Sequence, residues 1–273
     1  KLHHYLLGAV VPRPICFAST IDEDGRPNLA PFSFFNVFSS NPPIAIFSPS
    51  RSGRTGKHKD TYNNIQKVKE VVINMVNHKM VEQMSLASSP YDSDEDEFIK
   101  SGFTKVKSEL VKPFRVKESP VHLECKVNEV KELGHEGGAG NLIICEILKI
   151  HIHDNILDES NMIDQEKIDL VARMGGNWYS RTDKKSMFEI TKPMSSKGIG
   201  FDQIPNEILS SKFLSGNDLG KLAGIELLPN ETAVNDFKLT ELSELFLELE
   251  DDPKKLERSL HEKAKEFLAV NDL

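Results

Sequence analysis

The chain has 273 residues, with 34 Lys and Arg against 42 Asp and Glu, giving a formal charge of −8 and a pI near 5.7. With 38% apolar and 28% charged residues it has the composition of a globular protein with a sizeable core, and no apolar run approaches the ~20 residues that cross a bilayer. The acidic balance argues against general nucleic-acid binding. No basic stretch followed by an apolar one opens the chain as an export signal would. Cys16, Cys125 and Cys145 are odd in number and include no C-x-x-C pair, so a reducing cytoplasm is expected rather than a disulfide framework or a thiolate zinc site.

The first ~150 residues read as short strands separated by turns. Pro14–Ile21 is a β-type run, and Asp22-Glu-Asp-Gly-Arg26 is a turn signal directly after it. Leu29 to Phe38 is rich in Phe, and Asn41-Pro-Pro43 interrupts it before Ile44–Phe47. The segment Ser48–Thr61 carries Arg51, Arg54, Lys57 and Lys59 against a single acid, Asp60. Its glycines permit close backbone approach, its hydroxyls donate, and its cations pair with anions. Those are the needs of a phosphate, although a solvated surface loop has the same composition. It is not a Walker A loop, because Gly53-Arg-Thr-Gly-Lys-His58 has neither the spacing nor a Ser or Thr after the lysine.

Tyr62–Glu70 is predicted as a helix capped by Asp60 or Thr61. Strands are predicted at Val71–Val76, Pro120–Val127 and Asn141–Ile152, the last two joined across the glycine-rich turn 134–140. Gly137-Gly-Ala-Gly140 leads into a β run and lacks dinucleotide-fold spacing, so it reads as a hairpin turn. His151-x-His153 lies on one strand face, but no carboxylate or thiolate accompanies it at ligand spacing, and no metal site is expected. Arg173-Met-Gly-Gly-Asn-Trp-Tyr-Ser-Arg181 holds the single Trp in a sharp turn that serves either a packed corner or a cofactor contact.

Beyond residue 190 the pattern becomes helical. Leu239, Leu242, Leu245, Phe246 and Leu249 fall at helical spacing, and Asp252-Pro253 reads as an N-cap with proline at N1. Residues 231–273 hold twelve acids and six bases, a net of −6, which leaves −2 for the first 230. The domains expected are therefore 1–190, a barrel, and 191–273, a mainly helical acidic extension. Asn230-Glu-Thr232 matches a glycosylation sequon by chance. No Ser-His-Asp, Cys-His or paired-carboxylate pattern stands out, which favours chemistry carried by a cofactor and names no catalytic residue.

Taken in order, these segments resemble the flavin reductase-like, FMN-binding split-barrel family, in particular the subgroup with the Val11-Pro-Arg-Pro-Ile15 opening. The matching pieces continue with Ala18–Asp22, Asn28–Asn36, Asn41–Pro43, Lys59–Thr61, Asn64-Ile65, Val72–Met75, Phe98–Thr104 and Glu118–Val121. The resemblance implies a mainly β fold, a Greek-key split barrel with short helices, that forms a homodimer and binds FMN near the subunit interface. By position, Ser48, Ser50, Arg51, Lys59 and Thr61 would hold the FMN phosphate. Asn28, Ser33, Phe34 and Asn36 would line the ribityl chain and ring, Trp178 would approach the ring or its entrance, and Arg13 is a further candidate. The implied function is oxidoreduction, with electrons passing from a reductant such as NADH or NADPH through FMN to an acceptor; the alternative is a flavin carrier or redox sensor without turnover. Gly138-Ala-Gly-Asn-Leu142 stands where many members carry a histidine associated with flavin or nicotinamide contact, and the extension beyond 190 lies outside the minimal pattern.

Overall fold

Strand β1 (Cys16–Ile21) is buried at every position, Ser19 and Thr20 included, because it is covered on both faces. It follows helix α1 (Leu2–Ala9) and turns into β2 (Pro27–Phe32), where the Asp22 carboxylate accepts the N–H groups of Asp24 and Arg26 and Gly25 adopts φ +82°. The structure, a computed structural model, describes residues 1–190 and 197–270. Strand β3 (Phe35–Ser40) returns through the cis Asn41–Pro42 peptide into β4 (Pro43–Phe47). Next come α2 (Asp60–Lys67), β5 (Glu70–Asn74), α3 (Val81–Leu86), α4 (Glu97–Ser101) and the two-residue strands β6 (Lys105–Val106) and β7 (Arg115–Val116). The long hairpin β8 (Val121–Glu132) and β9 (Asn141–Ile152), helix α5 (Gln165–Ile168) and the hairpin β10 (Val171–Arg173)–β11 (Tyr179–Arg181) complete the first unit.

Seven strands form one antiparallel sheet in the order β2-β1-β5-β8-β9-β4-β3. Strands β2 and β3 occupy its opposite edges, yet only Ser33 and Phe34 lie between them. Three Cα–Cα steps reach at most roughly 11 Å, whereas six strand intervals laid flat would span roughly 29 Å. The sheet therefore rolls until its edges face each other without pairing, which makes it a split barrel. Side chains that alternate inward fill it: Cys16 and Ala18 from β1, Phe47 from β4, Val71 and Ile73 from β5, and Cys125, Ile143 and Cys145 from the long hairpin. The opposite face of β1 carries Phe17, with Ile15 just before the strand, into a second core with Leu29, Met80, Met84, Phe98 and Phe103. All three cysteines are free and buried, and burial pushes their thiols up.

Helix α2 differs from expectation at both ends. Lys59 occupies the N-cap without a side-chain cap, Asp60 and Thr61 already being helical, and the helix stops at Lys67 because Glu70 starts β5. The hydroxyl of Thr61 is committed elsewhere, to Asn28.

Contacts divide the chain into two units, Lys1–Phe188 and Glu189–Leu273. The second contains α6 (Asn206–Leu209), α7 (Gly216–Ala223), α8 (Glu231–Glu241), α9 (Ser243–Glu248) and α10 (Pro253–Ala269). Ser215 and Asp218 form a reciprocal capping box on α7, and Asp252 caps α10 by accepting the Lys255 N–H at 3.1 Å. Asn230, the sequon residue, caps α8.

Candidate functional site

The basic segment leaves β4 at Ser48 and is zipped to the glycine-rich turn of the β8–β9 hairpin. The Arg51 N–H donates to the Ala139 carbonyl at 2.8 Å, and the Gly138 N–H returns to the Arg51 carbonyl at 3.0 Å. Two glycines are needed for that approach. A Cβ on Gly137 would lie 3.0 Å from the Ser52 carbonyl oxygen, and one on Gly140 would lie 2.7 Å from Ser48 Oγ. The turn is thus a hairpin, and it also moulds the loop beneath it.

Arg51 is held from several sides. It donates to Glu132 Oε2 at 2.9 Å and to the Gly56 carbonyl at 3.3 Å, while its Nε is buried without a partner. Tyr62 donates its hydroxyl to Glu132 Oε1 at 2.5 Å, and His58 stacks on the Tyr62 ring at 3.7 Å. The Tyr62 hydrogen bond and then Arg51 hold the Glu132 carboxyl below the usual carboxylate range. Burial, then Glu132, pushes the Tyr62 phenol up to about 12, and burial followed by Arg51 holds His58 below the usual histidine value. Glu132, Tyr62 and His58 escape sequence reasoning: Glu132 lies 81 residues from Arg51, and only the hairpin brings the two together.

Asn28 is buried on β2 and donates to Thr61 Oγ1 at 2.9 Å and Thr20 Oγ1 at 3.2 Å, tying the start of α2 to the sheet. The Ser48 N–H donates to the Phe34 carbonyl at 2.8 Å, which joins the basic segment to the seam between β2 and β3. The phenylalanine cluster divides: Phe32 and Phe35 pack against the barrel core, whereas Phe34 is exposed. Ser50 is half-buried beside Arg51 in the chain, Lys59 is exposed at the N-cap of α2, and Asn36 is exposed on β3 with its amide oxygen on the Val37 N–H. Among the described residues Asn36 and Lys59 bond to no other candidate.

Arg13 is buried, and its guanidinium donates to the carbonyls of Leu7, Val10 and Met174 at 2.8, 2.6 and 3.1 Å and to Ser33 Oγ at 3.4 Å. It therefore clamps the N-terminal segment, the β2–β3 seam and the turn that carries Trp178. Trp178 itself is 78% exposed at the β10–β11 turn.

His151 of β9 and His122 of β8 belong to a different cluster. His151 Nε2 lies 2.6 Å from the buried Glu124 carboxylate, which also accepts the N–H groups of Glu109 and Leu110. His122 shares a 2.7 Å hydrogen bond with the Val116 carbonyl, and burial pushes it down to about 4. These groups fasten the 107–116 loop to the sheet. Among the described residues no group of three His, Cys, Asp or Glu side chains is arranged to hold a metal ion.

A rolled, split antiparallel barrel with a basic loop at one end and a two-residue seam defines the split-barrel class. The chain belongs to the flavin reductase-like family: the model described as "Flavin reductase like domain" matches residues 7–185. An uncharacterized protein of Aquifex aeolicus is 40% identical over 179 residues, covering 65% of this chain and 88% of that protein. The crystal structure of nitrilotriacetate monooxygenase component B from Bacillus cereus is similar, with a TM-score of 0.64 and 26% identity over 69% of this chain and 92% of that one. An FMN-binding protein from Thermus thermophilus shares the fold at a TM-score of 0.54 and 15% identity, over 66% of this chain and 91% of that one. Among the described residues no helix is long and apolar enough to cross a membrane.

Proposed function

We propose that this protein binds FMN in the split barrel and acts as an oxidoreductase, taking electrons from a reductant such as NADH or NADPH and passing them to an acceptor. The observation that carries the reading is the basic loop. It is a pre-shaped turn of four cations and several hydroxyls at the start of α2, and the buried Arg51 Nε has no partner among the described residues. A phosphate group fits that donor set. FMN would supply hydride acceptance and electron transfer at its ring.

The protein's own residues would bind and orient. Arg51 and Lys59 would pair with the phosphate, Ser48, Ser50 and Thr61 would donate or accept around it, and Asn28 would hold Thr61 in place. Ser33, Phe34 and Asn36 at the seam would line the ribityl chain and ring, with Trp178 near the entrance. Arg13 contributes by positioning, since all its resolved bonds go to protein groups. A homodimer is supported by exposed apolar residues on the sheet: Val37 and Phe38 of edge strand β3, and Leu148, Ile150 and Ile152 on the stretch of β9 beyond its pairing with β4. The three buried free cysteines support a reducing compartment.

The test is a titration of the purified protein with FMN, followed in the flavin absorption band. Saturable binding is expected, and charge reversal at Arg51 and Lys59 weakens it at least about tenfold, since a charge-assisted hydrogen bond contributes roughly 1.5–3 kcal/mol. Failure to bind FMN overturns the reading. Oxidation of NADH or NADPH in the presence of free FMN separates turnover from mere carriage of the flavin.

A further inference from the structure

The β10–β11 hairpin lies beside two guanidinium groups that no carboxylate answers. Arg51, Arg115 and Arg181 each face an acid. Arg13 gives its donors to three carbonyls and a hydroxyl, and Arg173 gives one to the Trp178 carbonyl at 3.0 Å while its guanidinium carbon lies 4.6 Å from the centre of the Tyr179 ring. Among the described residues neither arginine forms an ion pair. Burial first, and then the charge of Arg173, holds Arg13 below the usual guanidinium value. Two neighbouring positive charges without a counterion leave a field that an anion would relieve.

A cleft of about 210 Å³ opens at this place. Arg173, Tyr179, Ser33, Ser85, Ser88 and Met84 line it, and no acidic side chain does. The size limits the occupant, because pockets for drug-sized ligands run from roughly 300 to 1,000 Å³. The lining defines its chemistry. The planar fork of Arg173 matches a carboxylate in two-pronged geometry, and the Tyr179 ring with the half-buried Pro31 and Phe32 offers apolar surface to a flat ring. The Ser33 and Ser85 hydroxyls supply donors, while Ser88 gives its own to the Ser85 carbonyl at 2.6 Å.

We propose that this cleft binds a planar one-ring carboxylate, with Arg173 holding the carboxylate and Tyr179 flanking the ring. Arg13 positions the site by fixing Ser33 to the turn that follows Arg173. As the substrate site of a flavoprotein the cleft rests on the function proposed above; as a carboxylate site it stands on its own lining.

The experiment uses the full chain with benzoate and its neutral counterpart benzamide. Equilibrium dialysis of labelled benzoate gives the affinity, and the emission of Trp178, the single Trp of the chain, reports from the same turn. Saturable benzoate binding is expected, with benzamide at least about tenfold weaker. Arg173→Met loses benzoate affinity at least about tenfold, and Arg173→Lys, which keeps the charge and loses the fork, falls between. No saturable benzoate binding, equal affinity for the two ligands, or unchanged affinity in a folded Arg173→Met protein would overturn the proposal. If Arg173→Met does not fold, the benzoate–benzamide contrast in the unmodified protein decides alone. Benzoate binding without FMN binding would remove the flavin reading and leave this site; FMN binding without benzoate binding would do the reverse.

Discussion

Arg51 and Arg173 occupy two places where a guanidinium meets a glycine-bearing hairpin, and they are treated in opposite ways. Arg51 has a carboxylate at 2.9 Å, itself held by a tyrosine, so much of its charge is spent inside the protein. Arg173 has a carbonyl and an aromatic face, with a second arginine close by and, among the described residues, no acid paired to it. The difference teaches that a positive residue in a loop can serve as a fastener or as a receptor, and that its counterion decides which. An incoming anion must compete with the Glu132 charge at the first place and with only a neutral carbonyl and a ring face at the second.

The largest expected effect tests the support of the second place. Arg13→Met would take the donor from three part-buried carbonyls and loosen the turn after Arg173, at about 3 kcal/mol, since each hydrogen bond to a charged group contributes about 1.5–3 kcal/mol and partial exposure discounts it. The check is the denaturant midpoint at unchanged m-value. A loss below about 1 kcal/mol would mean that water satisfies those carbonyls and that Arg13 is no clamp.

A third basic group calibrates both. His122 is buried with Nδ1 unpartnered and faces Arg115, His151 and His153, so the protein keeps it neutral. Its folded value of about 4 lies below the ordinary 6.5, so the unfolded chain takes the proton first. Stability therefore falls as pH drops from 6.5 and levels off below about 4, by at most about 3 kcal/mol from this group. Urea unfolding across that range checks it, and His122→Gln should flatten the slope.

Glu132→Gln keeps an acceptor for Arg51 and removes the competing charge. FMN should then bind about two- to fivefold more tightly, the range of an exposed ion pair, while riboflavin, which lacks the phosphate, binds unchanged. Equal gains for both would show that the variant reshapes the loop instead. The smallest effect concerns acid. Because the folded Glu132 carboxyl titrates below its ordinary value, its contribution is present above the usual carboxylate range and is lost as pH falls through the depressed value. The stability difference between Glu132→Gln and the unmodified protein should vanish there.

Much of the barrel could be read locally. The turn at Asp22–Arg26, the interruption at Asn41–Pro43 and the long paired runs around 134–140 each depend on residues close in sequence, and the structure places turns at all three. The cap of α2 could not, because Thr61 looks like a capping residue until Asn28, 33 positions away, takes its hydroxyl. The basic loop was legible from its composition, but its partners Glu132 and Tyr62 were not, since a hairpin of two twelve-residue strands delivers one of them. The role of Arg13 was likewise hidden, because its acceptors are backbone carbonyls, which any residue supplies.

The link of Ser33 and Phe34 between the two sheet edges is a tether in the polymer sense. It holds two unpaired strand edges at an effective concentration that short linkers set in the millimolar range or above, so each edge meets its own chain's other edge far more often than a neighbouring molecule's. Cutting the chain there by circular permutation would leave the residues of the sheet unchanged but release both edges, and the expected outcome is association between copies through strand addition rather than loss of secondary structure.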